Sequence, residues 1–547
     1  MKQGFLTILF LSISAALPAQ SSDFLPHFEG HHQIEKQGVV AGTQFFSQFQ
    51  PVSRKKAAQL FHSDSVKPDD SHQVYRYANE YFDQEALHSG IFGRFYKNDV
   101  DFFQLDQEEI KVRVNPVWQF HAGRDANVSN LLFVNSRGID VRGIIDEKIS
   151  FHTRFLENQA EYPFYVKNVA DTSGIIPFEG FWKEYNTTTT DFLRAFGSVS
   201  VDVTPHVSVQ LGYGRQFIGN GIRSLLLSDF ANSYPFLKLD TEVWKFRYTN
   251  LFASLIADVF TYDQGTLGAS RYPKKFMTAH YLDFAITSNF HIGLFESIIF
   301  GQPDSIAPRQ FQLEYMNPII FYRSVEQQDG SAGNALMGAT FQWNLARKYM
   351  LYGQFLLDEL IISELTAGSD WWGNKYGYQL GVQAFNLLLE DLDFKIEYNT
   401  SRPFTYAHQD FYTAYTHYRQ PLAHPMGANF KEVVGQILYQ PNDRVTLAAH
   451  TVLATYGRDE DAFASGKDPQ RSYNDRPAEY GIEAIQGEEV NLKLFQLRVS
   501  YYWKYNLTFD VTGRYRHESF EKDHPDRKSI IFNAGFRWNM PFRNYLF

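Results

Sequence analysis

Several groups of side chains in this sequence have the types and spacing for chemistry. Asp358 and Glu359 stand side by side, the residue types that hydrolyse a glycosidic bond when they flank it. Neighbours on a strand point to opposite faces, so this pair is not expected to flank one bond. His27, His31 and His32 offer imidazole nitrogens near the N-terminus. Solvated histidines are the plainer reading there, and no metal site is assigned. Asp370-Trp371-Trp372-Gly373 sets two indoles beside an acid. Indole faces can stack on the C–H faces of sugars; an aromatic girdle at a membrane interface is the favoured reading of the pair, since tryptophan is enriched there whatever the function. Arg215 and Gln216, with Ser228 further on, lie among Gly212, Gly214, Gly219 and Gly221. A guanidinium fork suits the carboxylate of an acidic sugar. Alternatively the glycines let a loop fold tightly, with Arg215 paired to a wall carboxylate. The glycine spacing lacks the βαβ context of a nucleotide site. No G-x-S-x-G, H-E-x-x-H or Walker sequence occurs, so catalysis has no positive support and no cofactor is called for.

The elements that must carry these residues are strands. Phe495, Leu497, Val499, Tyr501 and Trp503 alternate with Gln496, Arg498, Ser500 and Tyr502. After a turn at 504–506, Leu507, Phe509, Val511, Gly513 and Tyr515 alternate with Thr508, Asp510, Thr512 and Arg514. Period two puts one set on each face of a strand, one face apolar and aromatic, the other charged. The pattern recurs from about Val112 to Trp538. Tight turns are expected near Asp146, Pro205, Asn250, Asn289, Arg347, Glu390, Asn442 and Tyr505, separated by long segments on the opposite side. Short turns on one side and long loops on the other predict an all-β, antiparallel transmembrane barrel of about 18 strands, its short side periplasmic. Closure is required because an open edge in hydrocarbon leaves backbone groups unpaired, at several kcal/mol each. Asp393, Lys395, Glu397, Arg498, Asp510, Arg514 and Arg516 should then face the lumen. There they either pair across a filled interior or line a water channel.

Composition agrees. Aromatics are 17% of the 547 residues, with 50 Phe and 33 Tyr, the supply that a lipid face and girdles need. Mean hydropathy is only -0.34, and past the N-terminus no run reaches the ~18 apolar residues of a spanning helix. Residues 1–20 read as a secretory signal peptide: Lys2, an apolar stretch over residues 5–13, then Leu17-Pro18-Ala19. Residues 21–110 alternate poorly, with locally helical or irregular stretches at residues 57–62 and 74–82. They read as an extension outside the wall or folded into the lumen, and residues 111–547 as the barrel. The chain has no cysteine, which excludes disulfides, thiolate metal sites and a lipoprotein anchor. A net charge of -10 argues against a nucleic-acid partner. The ending Asn544-Tyr545-Leu546-Phe547 is similar to the terminal aromatic signal of barrel assembly.

Longer segments carry a family likeness. Gly212-Tyr213-Gly214-Arg215-Gln216-Phe217-Ile218-Gly219-Asn220-Gly221, running into Leu225-Leu226-Leu227-Ser228-Asp229, resembles the Wzi capsule-assembly family of outer-membrane barrels. So do Tyr315-Met316-Asn317-Pro318, Phe321-Tyr322-Arg323-Ser324-Val325-Glu326, Asn334 and Leu357-Asp358-Glu359. Asn374-Lys375-Tyr376-Gly377-Tyr378-Gln379-Leu380-Gly381, and Gln420-Pro421-Leu422-Ala423-His424-Pro425-Met426-Gly427-Ala428-Asn429-Phe430, are similar to its Bacteroidota branch, which includes the RemB-type gliding-motility proteins. The likeness spans about residues 110 to 547. It implies a non-enzymatic outer-membrane barrel with partners in outer-membrane lipid and in surface polysaccharide or gliding or secretion machinery. Arg215, Gln216, Ser228, Trp371 and Trp372 are the residues expected to touch a glycan. A porin-like channel for small solutes is the rival reading, and would require an open lumen.

Overall fold

The structure is a computed structural model. It describes residues 23, 29–61, 95–96, 100–186, 188–259, 272–301, 311, 313–318, 333–460, 462–504, 506–522 and 524–547. The expected signal peptide, residues 74–82, His27 and residues 321–326 lie outside the described residues.

Eighteen long strands form the wall. They are β1 Ile110–Asp125, β2 Leu132–Ile145, β3 Ile149–Glu161, β4 Thr189–Asp202, β5 Val207–Gly214 and β6 Tyr234–Val243. Next come β7 Phe246–Ile256, β8 Lys274–Thr287, β9 Phe290–Phe300, β10 Asn334–Leu345, β11 Tyr349–Glu359 and β12 Lys375–Ala384. The last six are β13 Leu392–Ser401, β14 Phe430–Asn442, β15 Val445–Arg458, β16 Glu488–Lys504, β17 Leu507–Phe520 and β18 Arg527–Trp538. Every neighbouring pair is antiparallel. β18 returns to β1 with Phe536 opposite Phe120 and Trp538 opposite Trp118, which closes the cylinder.

The two faces separate as period two requires. On β16, Gln496, Arg498 and Ser500 are buried, while Leu497 is 67% exposed. On β18, Phe532 is 66% exposed and Arg537 is buried. Trp118, Trp244, Trp343 and Trp503 are exposed near the short-turn end. They form the rim of aromatics expected where a barrel meets an interface.

One expectation about the wall needs correction. The turn expected near Asn250 lies at Trp244 and Lys245, and Asn250 is a buried residue inside β7. Trp244 takes a left-handed φ of 55°, a conformation that a bulky residue does not advertise in sequence. β18 ends at Trp538, and residues 539–547 turn back into the lumen.

Inside the wall sit two helices, α1 His31–Ala41 and α2 Arg54–Phe61. α1 stops at Gly42, whose φ of 67° is the left-handed helix stop that glycine permits. Its polar side docks on the β13 region. His32 meets Asp393 at 2.7 Å, Lys36 meets Asp391 at 2.8 Å, and Glu35 meets Lys395 at 3.4 Å. Its apolar side sets Val39 against Met350, Tyr352 and Phe385. Further on, Lys56 reaches Glu242 at 2.5 Å, and Phe49–Gln50 pairs with Phe217–Ile218. Residues 29–61 therefore occupy the short-turn half of the lumen.

Candidate functional site

The glycine-rich stretch after β5 runs inward and threads the centre of the barrel. Gln354 on β11, Gln379 on β12 and Glu397 on β13 hold its backbone. Gln354 Nε2 donates to the Ile218 carbonyl at 2.8 Å, and Gln379 Nε2 to the Arg223 carbonyl at 3.0 Å. Glu397 accepts from the Ile222 amide at 2.7 Å and the Arg223 amide at 2.9 Å. The approach is so close that a Cβ on Gly219, at φ 121°, would run into the Gln354 amide. Beyond it Leu225, Leu226 and Leu227 are fully buried in a core with Tyr406, Tyr415 and Leu422 from residues 402–429. Tyr406 and Tyr415 donate their hydroxyls to the Leu225 and Leu226 carbonyls, both at 2.8 Å. A barrel interior here contains a hydrophobic core of its own, built by two inward-folded loops.

This placement decides how the sequence-expected residues are used. Ser228 donates its hydroxyl to the Ala423 carbonyl and is buried. Gln216 is buried. Arg215 is buried and donates to the carbonyls of Phe178 and, at 3.2 Å, Asp229. Its carboxylate neighbour is Glu179 of the β3–β4 loop at 3.8 Å rather than a wall residue. Deeper down, Arg223 Nη2 is 3.0 Å from Glu432, which also takes a 2.7 Å contact from His424 and a 3.1 Å bond from Asn399. Burial keeps His424 below the ordinary histidine range despite Glu432.

The charged strand residues all engage partners. Arg498 reaches Glu29, as does Arg537 at 2.6 Å. Asp510 takes Arg537 at 2.6 Å and the Ser500 hydroxyl at 2.6 Å. Arg514 donates to Gln496 and Tyr165, and Arg516 pairs with Glu518 at 2.8 Å. Sequence reasoning missed residues 539–547 as interior material. Arg537 donates to the Met540 carbonyl at 3.0 Å, Arg223 to that of Leu546 at 2.5 Å, and Arg516 to that of Phe547 at 3.1 Å. Phe547 ends among Tyr165, Phe178 and Phe230 at the long-loop end. Nine extended residues can span about 30 Å, enough to cross the cylinder. The only sequence signal was the poor alternation caused by Pro541 and Arg543.

Trp371 and Trp372 sit in the loop between β11 and β12, away from the tryptophans of the short-turn rim. Trp372 is 4.9 Å from Tyr473 and has the Arg476 guanidinium 4.2 Å over its ring. Its indole N–H donates to Glu479 at 2.7 Å, and Trp371 lies 5.8 Å away. Arg476 and the Trp372 donor hold Glu479 below the ordinary carboxylate range. Tyr480 beside them is exposed. Below the patch a register shift between Leu357 and Glu359 brings both Asp358 and Glu359 to Lys375, at 3.0 and 3.4 Å. Strict alternation had separated that pair. Sharing one ammonium, they form an ion cluster and do not flank an open space. His31 faces Glu35 and His32 faces Asp393, so the two are committed to different acids.

The family model of the capsule assembly protein Wzi matches residues 94–529. The chain belongs to the Wzi family. Among solved structures it is similar to Wzi of Escherichia coli, an outer membrane protein involved in group 1 capsule assembly and a carbohydrate binding β-barrel. The TM-score is 0.58 at 14% identity, over 95% of this chain and all of that one. At that identity the likeness shows the fold. Pseudomonas aeruginosa OprD aligns over 78% of this chain and 94% of its own, with 10% identity and a TM-score of 0.41. No curated protein matches the chain. Family and barrel together place this Wzi-family chain in the outer membrane, with the short turns periplasmic.

The docked helix α1 makes a testable acid response. Burial alone would raise the Glu35 carboxyl; Lys395, His31 and Asn220 outweigh it and hold it at about 2, against 4.5 for the free group. A depressed carboxyl stabilises the docked form fully above pH 4.5 and loses that contribution as pH falls toward 2. Hydrogen exchange over residues 31–41, corrected for intrinsic rates, is expected to speed up across that window. Glu35→Gln should weaken this pH dependence, leaving the part carried by Asp393 through His32 and Lys36.

Proposed function

We propose that this Wzi-family barrel is a non-enzymatic platform that binds surface polysaccharide through its outer loops. Family membership over residues 94–529 carries the reading. The packed interior supports it against the porin alternative, since residues 29–61, 215–233, 402–429 and 539–547 all contribute side chains to the lumen. Direct sugar contact is assigned to the outer patch of Trp371, Trp372, Tyr473, Arg476 and Tyr480. Arg476 and Glu479 supply charged hydrogen-bonding groups beside aromatic faces, a pairing suited to sugar rings with hydroxyls at their edges. Arg215, Gln216 and Ser228 act from below, holding the loop on which that outer surface rests.

Binding of the purified protein to capsular polysaccharide of its own strain is the test. The full chain should bind and should give no steady current in planar bilayers. Trp372→Ala with Arg476→Ala should cut affinity about tenfold, the loss of one charge-assisted contact and one aromatic face. Large steady currents together with absent glycan binding would sink the platform reading. The gliding-motility role is the finer alternative: a deletion strain with an intact coat but impaired spreading would favour it.

A further inference from the structure

A cavity of about 370 Å³ lies within the lumen beside the returning residues 540–546. That volume falls within the about 300–1,000 Å³ of small-molecule sites. Its wall on the long-loop side is unusually rich in guanidinium groups. Arg194 projects inward from β4, Arg215 follows β5, and Arg543 belongs to the returning segment. All three gather about one loop carboxylate. Glu179 lies 3.5 Å from Arg194 and 3.8 Å from Arg215, and Arg543 is within its electrostatic reach. Arg194 likewise feels the charges of Arg215 and Arg543. Asp229 also lines this part, and presents its backbone carbonyl to Arg215.

Among these groups the hydrogen-bonding inventory leaves several donors over against one acceptor, Glu179 Oε1. Arg215, 6% exposed, has no hydrogen-bond partner for Nε among the described residues. Arg543 spends Nη2 on Asn158 at 2.9 Å and also interacts with the Tyr545 hydroxyl, while its buried Nε and Nη1 make no well-formed hydrogen bond among the described residues. Arginine stays charged whatever its surroundings, so these groups cannot relieve burial by losing a proton. Like charges held together at low dielectric call for an opposite charge. Arg154 shows the contrast: it lines the same cavity and is matched by Asp140 at 2.7 Å. Leu156, Phe178 and Phe196 supply an apolar side wall next to the guanidinium groups, the mixture of apolar lining and a few convergent polar groups that marks a ligand pocket.

We propose that Arg194, Arg215 and Arg543 form an internal site for a small oxyanion, a carboxylate or a phosphate. The planar forks match two-oxygen anions, and Glu179 gathers them until the anion arrives. The proposal concerns the lumen and stands apart from the outer patch, so loss of glycan binding at the loops leaves it intact.

Isothermal titration of the full chain in detergent tests it, with inorganic phosphate, glucuronate and neutral glucose as probes. Saturable binding of phosphate or glucuronate at one site per chain is expected, with none for glucose. Phosphate alone would mark a free inorganic anion as the ligand; glucuronate alone would mark an acidic sugar. Arg543→Gln and Arg194→Gln should each weaken binding about tenfold or more, by loss of charged hydrogen bonds. Glu179→Gln should tighten it severalfold by removing the competing carboxylate. A gain of affinity cannot come from misfolding, and the heat-dependent gel shift of a folded barrel checks the arginine variants. Absent saturation by both anions, equal binding of glucose, or unchanged affinity in all three variants would overturn the site.

Discussion

Arg223→Ala is expected to destabilise the folded barrel by about 3–5 kcal/mol, the cost of stripping one partner from a buried ion pair. Arg223 is the point where two fillings of the lumen meet the wall. It belongs to the inward loop, pairs with Glu432 on β14 at 3.0 Å, and donates to the Leu546 carbonyl at 2.5 Å. Its loss leaves Glu432, fully buried, with His424 and Asn399 alone. His424 is a poor replacement, because burial keeps it below the usual histidine range and so favours its neutral form. Urea unfolding followed by tryptophan emission should show the midpoint fall. The double change Arg223→Leu with Glu432→Leu should recover most of the loss, since an apolar pair needs no compensation. A single variant as stable as the parent would mean that water reaches Glu432 and that the interior is wetter than its packing implies.

Leu497→Arg on the outer face tests the other half of the structure. Leu497 lies midway along β16 and is 67% exposed in the absence of lipid. A charge at the bilayer midplane costs about 2–4 kcal/mol, falling to about 0–1 kcal/mol near the interface. Trp503 shares that face but lies at the short-turn rim. Trp503→Arg should therefore be several times milder. Folding both variants into lipid vesicles, with urea titration, gives the comparison. Equal costs at the two positions would contradict a lipid-facing Leu497.

The wall was legible in the sequence because its information is local. Gln496, Leu497, Arg498 and Val499 declare their faces through their immediate neighbours, and repeating that pattern with short turns is enough to demand closure. Trp244 and Asn250 show the limit. A turn held by an aromatic residue in a left-handed conformation carries no Gly or Asn signal, and an inward-facing Asn imitates one. The Asp358–Glu359 pair shows another, since one register shift cancels the alternation argument.

By itself, then, the sequence determined a closed antiparallel cylinder, the residues facing outward, and through its longer motifs the Wzi family. Only the tertiary structure decided what fills the cylinder. Arg537 finds Glu29 across 508 positions of chain, Lys395 finds Glu35 across 360, and Arg223 finds Leu546 across 323. Such pairings depend on where closure brings remote segments, and no periodicity encodes them. The same residue types that period two assigns to the interior could have lined an open channel; docked helices, inward loops and a returning end turned them into a core.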